Sequence, residues 1–254
     1  MDFAIIAAGE GSRLVQEGVT TPKPLINIQG SPLIERLIRI FLKNGASSVS
    51  VIVNEEMKDV QDFLKKIRLP VPFHLHIRST PGSMHSFYEL SRYLKNDRFC
   101  LTTVDPIFRE DEFSGYIQAF KNSDGLPDGL MAVTDFVDDE NPLYVKTDGD
   151  LRILDFGPPM PPRRAEGSVI DLSEQPYQEG EYTYVSGGIY CLRRSAIRVL
   201  EIAMLEGMSR MRNYQRRLVS EGLNLKAYPF SKIIDVDHVE DIAKAELFLS
   251  ERQS

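Results

Sequence analysis

The first residues of the chain combine glycines and cations in a pattern that suits a polyphosphate ligand. An apolar run from Phe3 to Ala8 is followed by Gly9 and Gly11, then by Arg13, and Lys23 stands further on between two prolines. The apolar run is short and partly β-branched, which is typical of a buried strand. Glycines after a strand let the backbone approach a ligand and turn its N–H groups toward it. Because the two cations add fixed positive charge to the same loop, we expect it to bind phosphate groups.

The spacing of these residues differs from that of the common phosphate-binding loops. The G-x-G-x-x-G pattern of dinucleotide folds needs a third glycine where this chain has Leu14, and the G-x-x-x-x-G-K-[ST] pattern of P-loops does not occur. Residues 7–14 and 22–25 instead match A-A-G-x-G-[ST]-R-[LM] and P-K-x-L. They resemble the signature loop of the nucleotidylyltransferases, which join a nucleoside triphosphate to a sugar or alcohol phosphate. This family includes MobA-like NTP transferases and nucleoside-diphosphate-sugar pyrophosphorylases.

The resemblance implies roles for individual residues of this loop. Arg13 and Lys23 are the expected catalytic cations, which would hold the triphosphate and stabilise charge at the α-phosphate. The nucleotide-binding residues that it implies here are Ala7, Ala8, Gly9, Glu10, Gly11 and Ser12. Taken singly, such glycines and cations would be an ordinary turn with solvated charges, and it is the joint pattern that favours function.

A carboxylate follows a central strand of the predicted sheet. Phe99–Val104 forms the strand, and Asp105 stands at its carboxyl end, where ligands bind in open α/β sheets. An aspartate beside a triphosphate would be repelled unless a cation stood between them. Mg²⁺ prefers one or two carboxylates plus phosphate oxygens, and the resembled family has a metal-binding aspartate at this point. The alternative is a turn formed by Asp105 with Pro106.

A second acidic segment, near the C-terminus, completes the metal site that the resemblance implies. Asp235 and Asp237 are followed by Glu240 and Asp241, which resembles the family pattern E-x-D-[ST]-x-E-D. Asp237 also fits the N-cap of a helix, in a capping box with Glu240. Asp235 has no such structural explanation. We therefore expect Asp235 to be the main partner of Asp105 at Mg²⁺, with Asp237 as a metal ligand, a helix cap or both.

Two further segments match positions of the same family. Gly82 and Ser83 begin a predicted helix, where the family has a pair that lies against the base and ribose, and a plain turn with a cap is the alternative. Ser186, Gly187 and Gly188 lie in a predicted strand, and glycine inside a strand often marks the close approach of a ligand. The family's N-[ST]-G-I-Y step implies that these three residues bind the acceptor.

The chain departs from the family at the acceptor. Many sugar-phosphate members carry a Glu-Lys-Pro step near residues 155–157, and its lysine holds the acceptor phosphate, but this chain has no lysine there. A long proline-rich stretch, residues 157–176, contains Arg163 and Arg164 as candidate replacements. Loops of this length are usually functional or disordered, and the resemblance implies a lid over the acceptor. A sugar 1-phosphate, a phosphocholine-like alcohol phosphate and a cofactor phosphate all remain open, as does the base.

The elements that must position these residues alternate between strands and helices along the chain. This order predicts a single α/β domain over residues 1–254, with a Rossmann-like, mostly parallel mixed sheet and helices on both faces. The resemblance implies the nucleotide-diphospho-sugar transferase fold, with a nucleotide-binding half at 1–135 and an acceptor-binding half at 136–254. The second half contains a predicted hairpin over 143–156 and the lid. Ser31 and Pro32 are predicted to cap and begin the first long helix.

Composition limits the classes of partner. The 254-residue chain has a net charge of −7 and no long basic run, which argues against a nucleic acid partner. No apolar stretch approaches the roughly 20 residues that a membrane helix needs. The two cysteines lie in apolar runs, which favours the reducing cytoplasm over a disulfide framework. The sequence leaves the oligomeric state open, with a homodimer as one candidate.

The reaction that the resemblance implies is Mg²⁺-dependent nucleotidyl transfer. A phosphate oxygen of a small phosphorylated acceptor attacks the α-phosphorus of a nucleoside triphosphate, and pyrophosphate leaves. One alternative is a glycosyltransferase that uses a nucleotide sugar, since Asp235 and Asp237 fit its Asp-x-Asp motif. The other is a non-catalytic nucleotide-binding regulator. Release of pyrophosphate would distinguish a nucleotidyltransferase from both alternatives.

Overall fold

The computed structural model describes residues 1–125, 127–138, 141–157 and 182–251. The helices are α1 (Ser12–Gln16), α2 (Leu33–Lys43), α3 (Lys58–Lys66), α4 (Ser83–Ser91), α5 (Glu110–Lys121), α6 (Arg194–Leu205), α7 (Met211–Ser220) and α8 (Val239–Ser250), and a short 3-10 helix spans Lys23–Leu25. The strands are β1 (Asp2–Ala7), β2 (Asn27–Ile28), β3 (Ser31–Pro32), β4 (Ser48–Val53), β5 (Phe73–Ile77), β6 (Arg98–Thr103), β7 (Pro106–Ile107), β8 (Gly129–Thr134), β9 (Tyr144–Thr147), β10 (Ile153–Gly157), β11 (Tyr184–Arg193), β12 (Leu225–Pro229) and β13 (Ile234–Asp235). Residues 158–176 of the predicted lid, with Arg163 and Arg164, lie outside the described residues.

The central sheet is mixed and mostly parallel, as predicted. Within the described ranges it contains nine strands. Strands β5, β4, β1 and β6 lie side by side in parallel, and β11 pairs antiparallel with β6 and with β8. Strand β12 runs parallel to β8, and β9 and β10 form the predicted hairpin beside β11. This arrangement confirms the Rossmann-like α/β fold class.

Strand β1 shows why helices must cover both faces of the sheet. Its side chains alternate between two hydrophobic cores. Phe3 and Ile5 pack in the core that includes α2, α3, α5 and α8, whereas Ala4 and Ile6 pack in the core that includes α4, α6 and α7. Because both faces of the strand pack in a hydrophobic core, β1 is buried along its whole length. The loop that contains Gly9 follows the carboxyl end of this strand. The expectation of helices on both faces is confirmed.

The start of the first long helix differs from the prediction. Ser31 and Pro32 form the short strand β3, which pairs antiparallel with Asn27 and Ile28. Helix α2 begins only at Leu33, with Pro32 as its N-cap and no side-chain cap hydrogen bond. The serine is held in strand pairing instead of at the helix terminus, so the predicted Ser31 cap is wrong.

Candidate functional site

Gly11 allows the glycine-rich segment of the predicted phosphate loop to contact the segment that carries Lys23. It has a φ of 61°, in the left-handed region that glycine adopts without the steric cost of a side chain. A Cβ at this position would lie 3.2 Å from the Cβ of Lys23. A glycine is therefore needed here both for the turn and for the approach of Lys23.

Lys23 is a buried cation held between two acids. Its side chain is 8% exposed, and its ammonium donates to Asp105 Oδ2 at 2.5 Å and to Asp237 Oδ1 at 2.6 Å. Burial opposes the charged ammonium, but these two carboxylates raise the pKa of Lys23 above its ordinary value. The lysine is therefore positively charged at any physiological pH.

Asp237 joins the two predicted catalytic cations. Its Oδ1 accepts from Lys23, and its Oδ2 accepts from Nη1 of Arg13 at 2.7 Å. Arg13 is 43% exposed, so its guanidinium lies at the edge of the site, where solvent or a ligand can reach it. Asp237 thus neutralises positive charge on both Arg13 and Lys23.

The predicted capping box of Asp237 is wrong by one residue. Helix α8 begins at Val239 with His238 as its N-cap. The reciprocal acid is Asp241, not Glu240, and its carboxylate accepts from the amide of His238 at 2.7 Å. Asp237 therefore lies before the cap, where its carboxylate is available to Lys23 and Arg13.

Asp105 and Asp235 lie beside each other, as the sequence predicts. The short strands β7 and β13 pair antiparallel with Asp235 opposite Pro106, and the amide of Val236 donates to the carbonyl oxygen of Asp105. Both carboxylates act on the same phenol: burial raises the pKa of Tyr190 to about 12, and the charges of Asp235 and Asp105 add to the increase. Two acids that are far apart in sequence thus reach the same side of the sheet.

Asp105 is ionised in spite of its burial. Its side chain is 19% exposed, and burial opposes the charged form, but the ammonium of Lys23 holds the pKa of the carboxyl below its ordinary value. The Oδ1 oxygen is buried and accepts no hydrogen bond from the part of the chain that the structure describes. An ionised carboxylate with such an oxygen is a suitable ligand for a cation.

An open cleft of about 1460 Å³ is lined by seven of the sixteen predicted site residues. Those that line it are Gly82, Ser83, Asp105, Ser186, Gly188, Asp235 and Asp237. Arg13 lines an adjoining cavity that shares Ser186, Asp235 and Asp237 with the cleft. The two predicted halves of the site, nucleotide and acceptor, therefore meet in one region of the molecule.

Some predicted residues do not face the cleft with a side chain. Ala7 and Ala8 are buried in the two cores, whereas Gly9, Glu10 and Ser12 are exposed. Gly187 is buried, and a Cβ there would lie 2.2 Å from Ile233 Cδ1, outside the lining of the cleft.

A bulge explains why the two glycines of β11 differ. The pairing of β11 with β8 shifts register between Ser186 and Tyr190, and Gly188 has a φ of 70°. The backbone thus turns Ser186 and Gly188 to the cleft while Gly187 packs on Ile233. Gly187 also lines the adjoining cavity that contains Arg13, and its expected acceptor role stays a prediction.

Sequence reasoning missed the residues that helix α7 brings to the cleft. Arg210 precedes the helix and lines the cleft with Arg212 and Gln215. Arg212 donates to Asn141 Oδ1 at 3.1 Å, and Gln215 donates to the Ser186 hydroxyl at 3.3 Å. The only signal for these residues in the sequence is the concentration of arginines at residues 210–217. By itself this pattern indicates no more than a solvent-exposed helix face.

Comparison with known proteins agrees with this geometry. The model of the MobA-like NTP transferase domain family matches residues 3–158. The bifunctional protein GlmU of Thermodesulfovibrio yellowstonii is 23% identical over 261 residues, covering 99% of this chain and 53% of the relative. The chain thus spans about half the length of the curated relatives of this kind.

Two further similarities are to a cytidylyltransferase and to a CTP transferase. A 2-aminoethylphosphonate cytidylyltransferase of Lancefieldella rimae is 45% identical over 49 residues, which cover 19% of this chain and 20% of the relative. The structure of the inositol-1-phosphate CTP transferase from T. maritima has a TM-score of 0.73 and 17% sequence identity, and the match covers 100% of this chain and 97% of that one. No helix among the described residues is long and apolar enough to span a membrane.

From the family match over more than half of its length, the chain belongs to the MobA-like NTP transferase domain family, whose members are nucleotidyltransferases.

Proposed function

We propose that this protein joins a nucleoside triphosphate to a small phosphorylated acceptor and releases pyrophosphate. The observation that carries the proposal is that Asp105, Asp235 and Asp237 line one open cleft. Lys23 pairs with two of these acids, and Arg13, which lines the adjoining cavity, pairs with Asp237. The cations suit the negatively charged phosphate groups of a nucleoside triphosphate, and the ionised acids suit the metal ion that accompanies it. Family membership supports the transfer of a nucleotidyl group, and the phosphorylated acceptor is the finer part of the proposal.

The reaction needs alignment and charge neutralisation more than acid–base chemistry. An acceptor phosphate oxygen forms a bond to the α-phosphorus while the bond from that phosphorus to the bridging oxygen of pyrophosphate breaks. A phosphate monoester is already a nucleophile, so no general base is required. Preorganised charge then supplies most of the catalysis.

The loop residues have separate tasks in this scheme. The exposed backbone at Gly9–Ser12 and the partly exposed guanidinium of Arg13 bind the β- and γ-phosphates. Lys23 is buried beside Asp105 and stabilises the charge that builds on the α-phosphate. Gly82 and Ser83, at the start of α4, line the same cleft and contact the nucleoside.

The donor set of the cleft fits Mg²⁺. Asp105 and Asp235 lie side by side, and Oδ1 of Asp105 accepts no hydrogen bond from the described residues. No group of three or more His, Cys, Asp or Glu side chains forms a complete metal cage within those ranges, which suits an ion that takes one or two carboxylates plus phosphate oxygens and water. We assign Asp105 and Asp235 as its ligands, and Asp237, which Arg13 and Lys23 engage, stays a candidate ligand. When bound, the ion supplies positive charge against the triphosphate oxygens.

The acceptor phosphate has a candidate partner in Arg210. The chain lacks the lysine that many sugar-phosphate members carry near residue 156. Arg210 lines the cleft beside Ser186 and Gly188, the residues expected to bind the acceptor. We therefore assign the acceptor phosphate to Arg210. A small alcohol phosphate or a small phosphonate is the favoured acceptor class, which the similarity to an inositol-1-phosphate CTP transferase and to a 2-aminoethylphosphonate cytidylyltransferase supports.

A pyrophosphate-release screen tests the proposed function. The four common ribonucleoside triphosphates are combined with phosphocholine, 2-aminoethylphosphonate, inositol 1-phosphate and a panel of sugar 1-phosphates, with and without Mg²⁺. Release that requires both an acceptor and Mg²⁺ is the expected result. Binding of triphosphate with no turnover for any acceptor would favour a regulator, and transfer from a nucleotide sugar would favour a glycosyltransferase.

Replacing either loop cation should impair turnover, and Arg13→Ala, at a partly exposed side chain, should do so while the fold is kept. Arg13→Ala or Lys23→Ala should lower kcat by about 10²–10³-fold, the scale of losing one preorganised charge-stabilising donor. Steady-state pyrophosphate release measures this. Lys65→Ala is the matched control, because Lys65 is 55% exposed on α3 and outside the cleft. Full activity in Arg13→Ala would overturn the assignment of Arg13. An unchanged Tm of this variant, expected because the side chain is 43% exposed, shows that a loss of activity does not come from unfolding.

Replacing Arg210 should weaken the acceptor and spare the nucleotide. Arg210→Ala should raise the KM for the phosphorylated acceptor by about 10–100-fold, the range expected for a hydrogen bond between charged groups. The KM for the nucleoside triphosphate should change little, and Arg198→Ala, an exposed position on α6 outside the cleft, should change neither. Equal effects of Arg210→Ala on both KM values would contradict the assignment.

The ion pair in the cleft predicts how stability depends on pH. The pKa of folded Asp105 lies below its ordinary 3.8, so its stabilising contribution is present above that pH and is lost as the pH falls through the folded value. The pKa of Lys23 lies above its ordinary 10.5, so its contribution is present below that pH and is lost as the pH rises through the folded value.

The matching experiment compares the free energy of unfolding of the wild type and Asp105→Asn by chemical denaturation. The difference should stay constant from about pH 5 to about pH 9 and shrink as the pH falls below the ordinary aspartate pKa. Asp62→Asn, at a side chain that is 65% exposed, should show a small difference throughout. A difference that already shrinks between about pH 7 and about pH 5 would rule out a lowered pKa for Asp105.

A further inference from the structure

A second cavity lies apart from the catalytic cleft and shares no lining residue with it. It is an open groove of about 830 Å³, open solvent included, between α2, the start of α5 and the end of α8. Its charged lining consists of Arg36, Arg39, Arg109, Glu110 and Asp111. The concentration of arginines is unusual in a chain whose net charge is −7.

Arg36 is the most constrained of these cations. It is 4% exposed, and its Nη2 donates to the carbonyl oxygen of Phe108 at 2.9 Å. Its Nη1 is also buried but donates no hydrogen bond to any residue in the described ranges. Burial lowers the pKa of Arg36 to about 10, so the guanidinium is still charged at neutral pH. Because Nη1 is closed to solvent, Arg36 contributes its positive charge to the cavity that it lines and not this donor.

The carboxylates of the cavity do not cancel its arginines. Glu110 accepts from Arg39 at 2.7 Å and from Lys43 at 2.9 Å, so two cations share that one acid. Asp111 is exposed to solvent. Arg109 lies over the ring of Phe248, with 4.6 Å between the guanidinium carbon and the ring centroid, and its Nη1 donates to the carbonyl oxygen of Glu251 at 2.8 Å. The cavity therefore has an excess of positive charge.

We propose that this cavity is a binding site for a small phosphate-bearing anion, held by Arg36, Arg39 and Arg109. The planar guanidinium donates pairs of parallel hydrogen bonds that match the oxygens of a phosphate. Arg36 and Arg39 are three residues apart on α2 and so lie on the same face of the helix. Inorganic phosphate and a phosphomonoester share this chemistry, and either would be bound by the outer guanidinium groups of Arg39 and Arg109, while Arg36 contributes its buried positive charge. This site is independent of the proposed catalytic function.

The test uses isothermal titration calorimetry without Mg²⁺ or nucleotide. The protein carries Arg13→Ala and Arg210→Ala, which weaken phosphate binding at the catalytic loop and at the proposed acceptor position, and is titrated with inorganic phosphate or with phosphoethanolamine. The expected result is saturable binding of at least one of these probes with one site per chain, and the tighter probe identifies the source of the anion. Adding Arg39→Ala or Arg109→Ala should weaken this binding by about 10-fold or more.

Arg68→Ala is the matched control, since this exposed arginine does not line the cavity and its removal should leave the affinity unchanged. The test relies on the two outer arginines because Arg36 is buried and its replacement can disturb folding, and each variant is checked for an unchanged Tm. No saturable binding of either probe would overturn the proposal. Binding that persists equally in Arg39→Ala, Arg109→Ala and Arg68→Ala would also overturn it. Neither result bears on turnover, so failure here is distinct from failure of nucleotidyl transfer.

Discussion

The buried ammonium of Lys23 and its two carboxylate partners fix the geometry of the cleft. An unpaired charge at 8% exposure would cost several kcal/mol, so the lysine must keep Asp105 and Asp237 close. These partners come from the end of β6 and from the segment before α8. One interaction thus draws together the N-terminal loop, the central sheet and the C-terminal helix. Gly11 makes it sterically feasible, since a side chain there would crowd Lys23.

Much of this arrangement could be predicted from the sequence because it depends on local patterns. The apolar run before Gly9 marks a buried strand, and the position of Asp105 after a second such run places it at the carboxyl edge of the sheet. Asp235 and Asp105 were expected near each other, and the pairing of β7 with β13 brings them together. The alternation of strands and helices was enough to predict the mixed sheet and its two helical layers.

The errors arose where neighbouring residues compete for one structural role. Glu240 and Asp241 can both serve as the acid of a capping box, and the sequence does not say which of Asp237 and His238 is the N-cap. The structure uses His238 and Asp241, which leaves Asp237 to the cations. Arg210 was missed for another reason: its position at the cleft depends on how α7 packs across the sheet, and no local pattern reports that. The bulge in β11 that separates Gly187 from Gly188 is likewise set by pairing with β8.

The central claim is that Lys23 and Asp105 form a buried, mutually stabilising pair on which the cleft depends. A double-mutant cycle with Lys23→Met, Asp105→Asn and the double variant measures their coupling directly through the free energy of unfolding. The account predicts that the two single losses together exceed the loss in the double variant by about 1–3 kcal/mol. Losses that add to within about 0.5 kcal/mol would show that the two side chains do not depend on each other and would contradict the account.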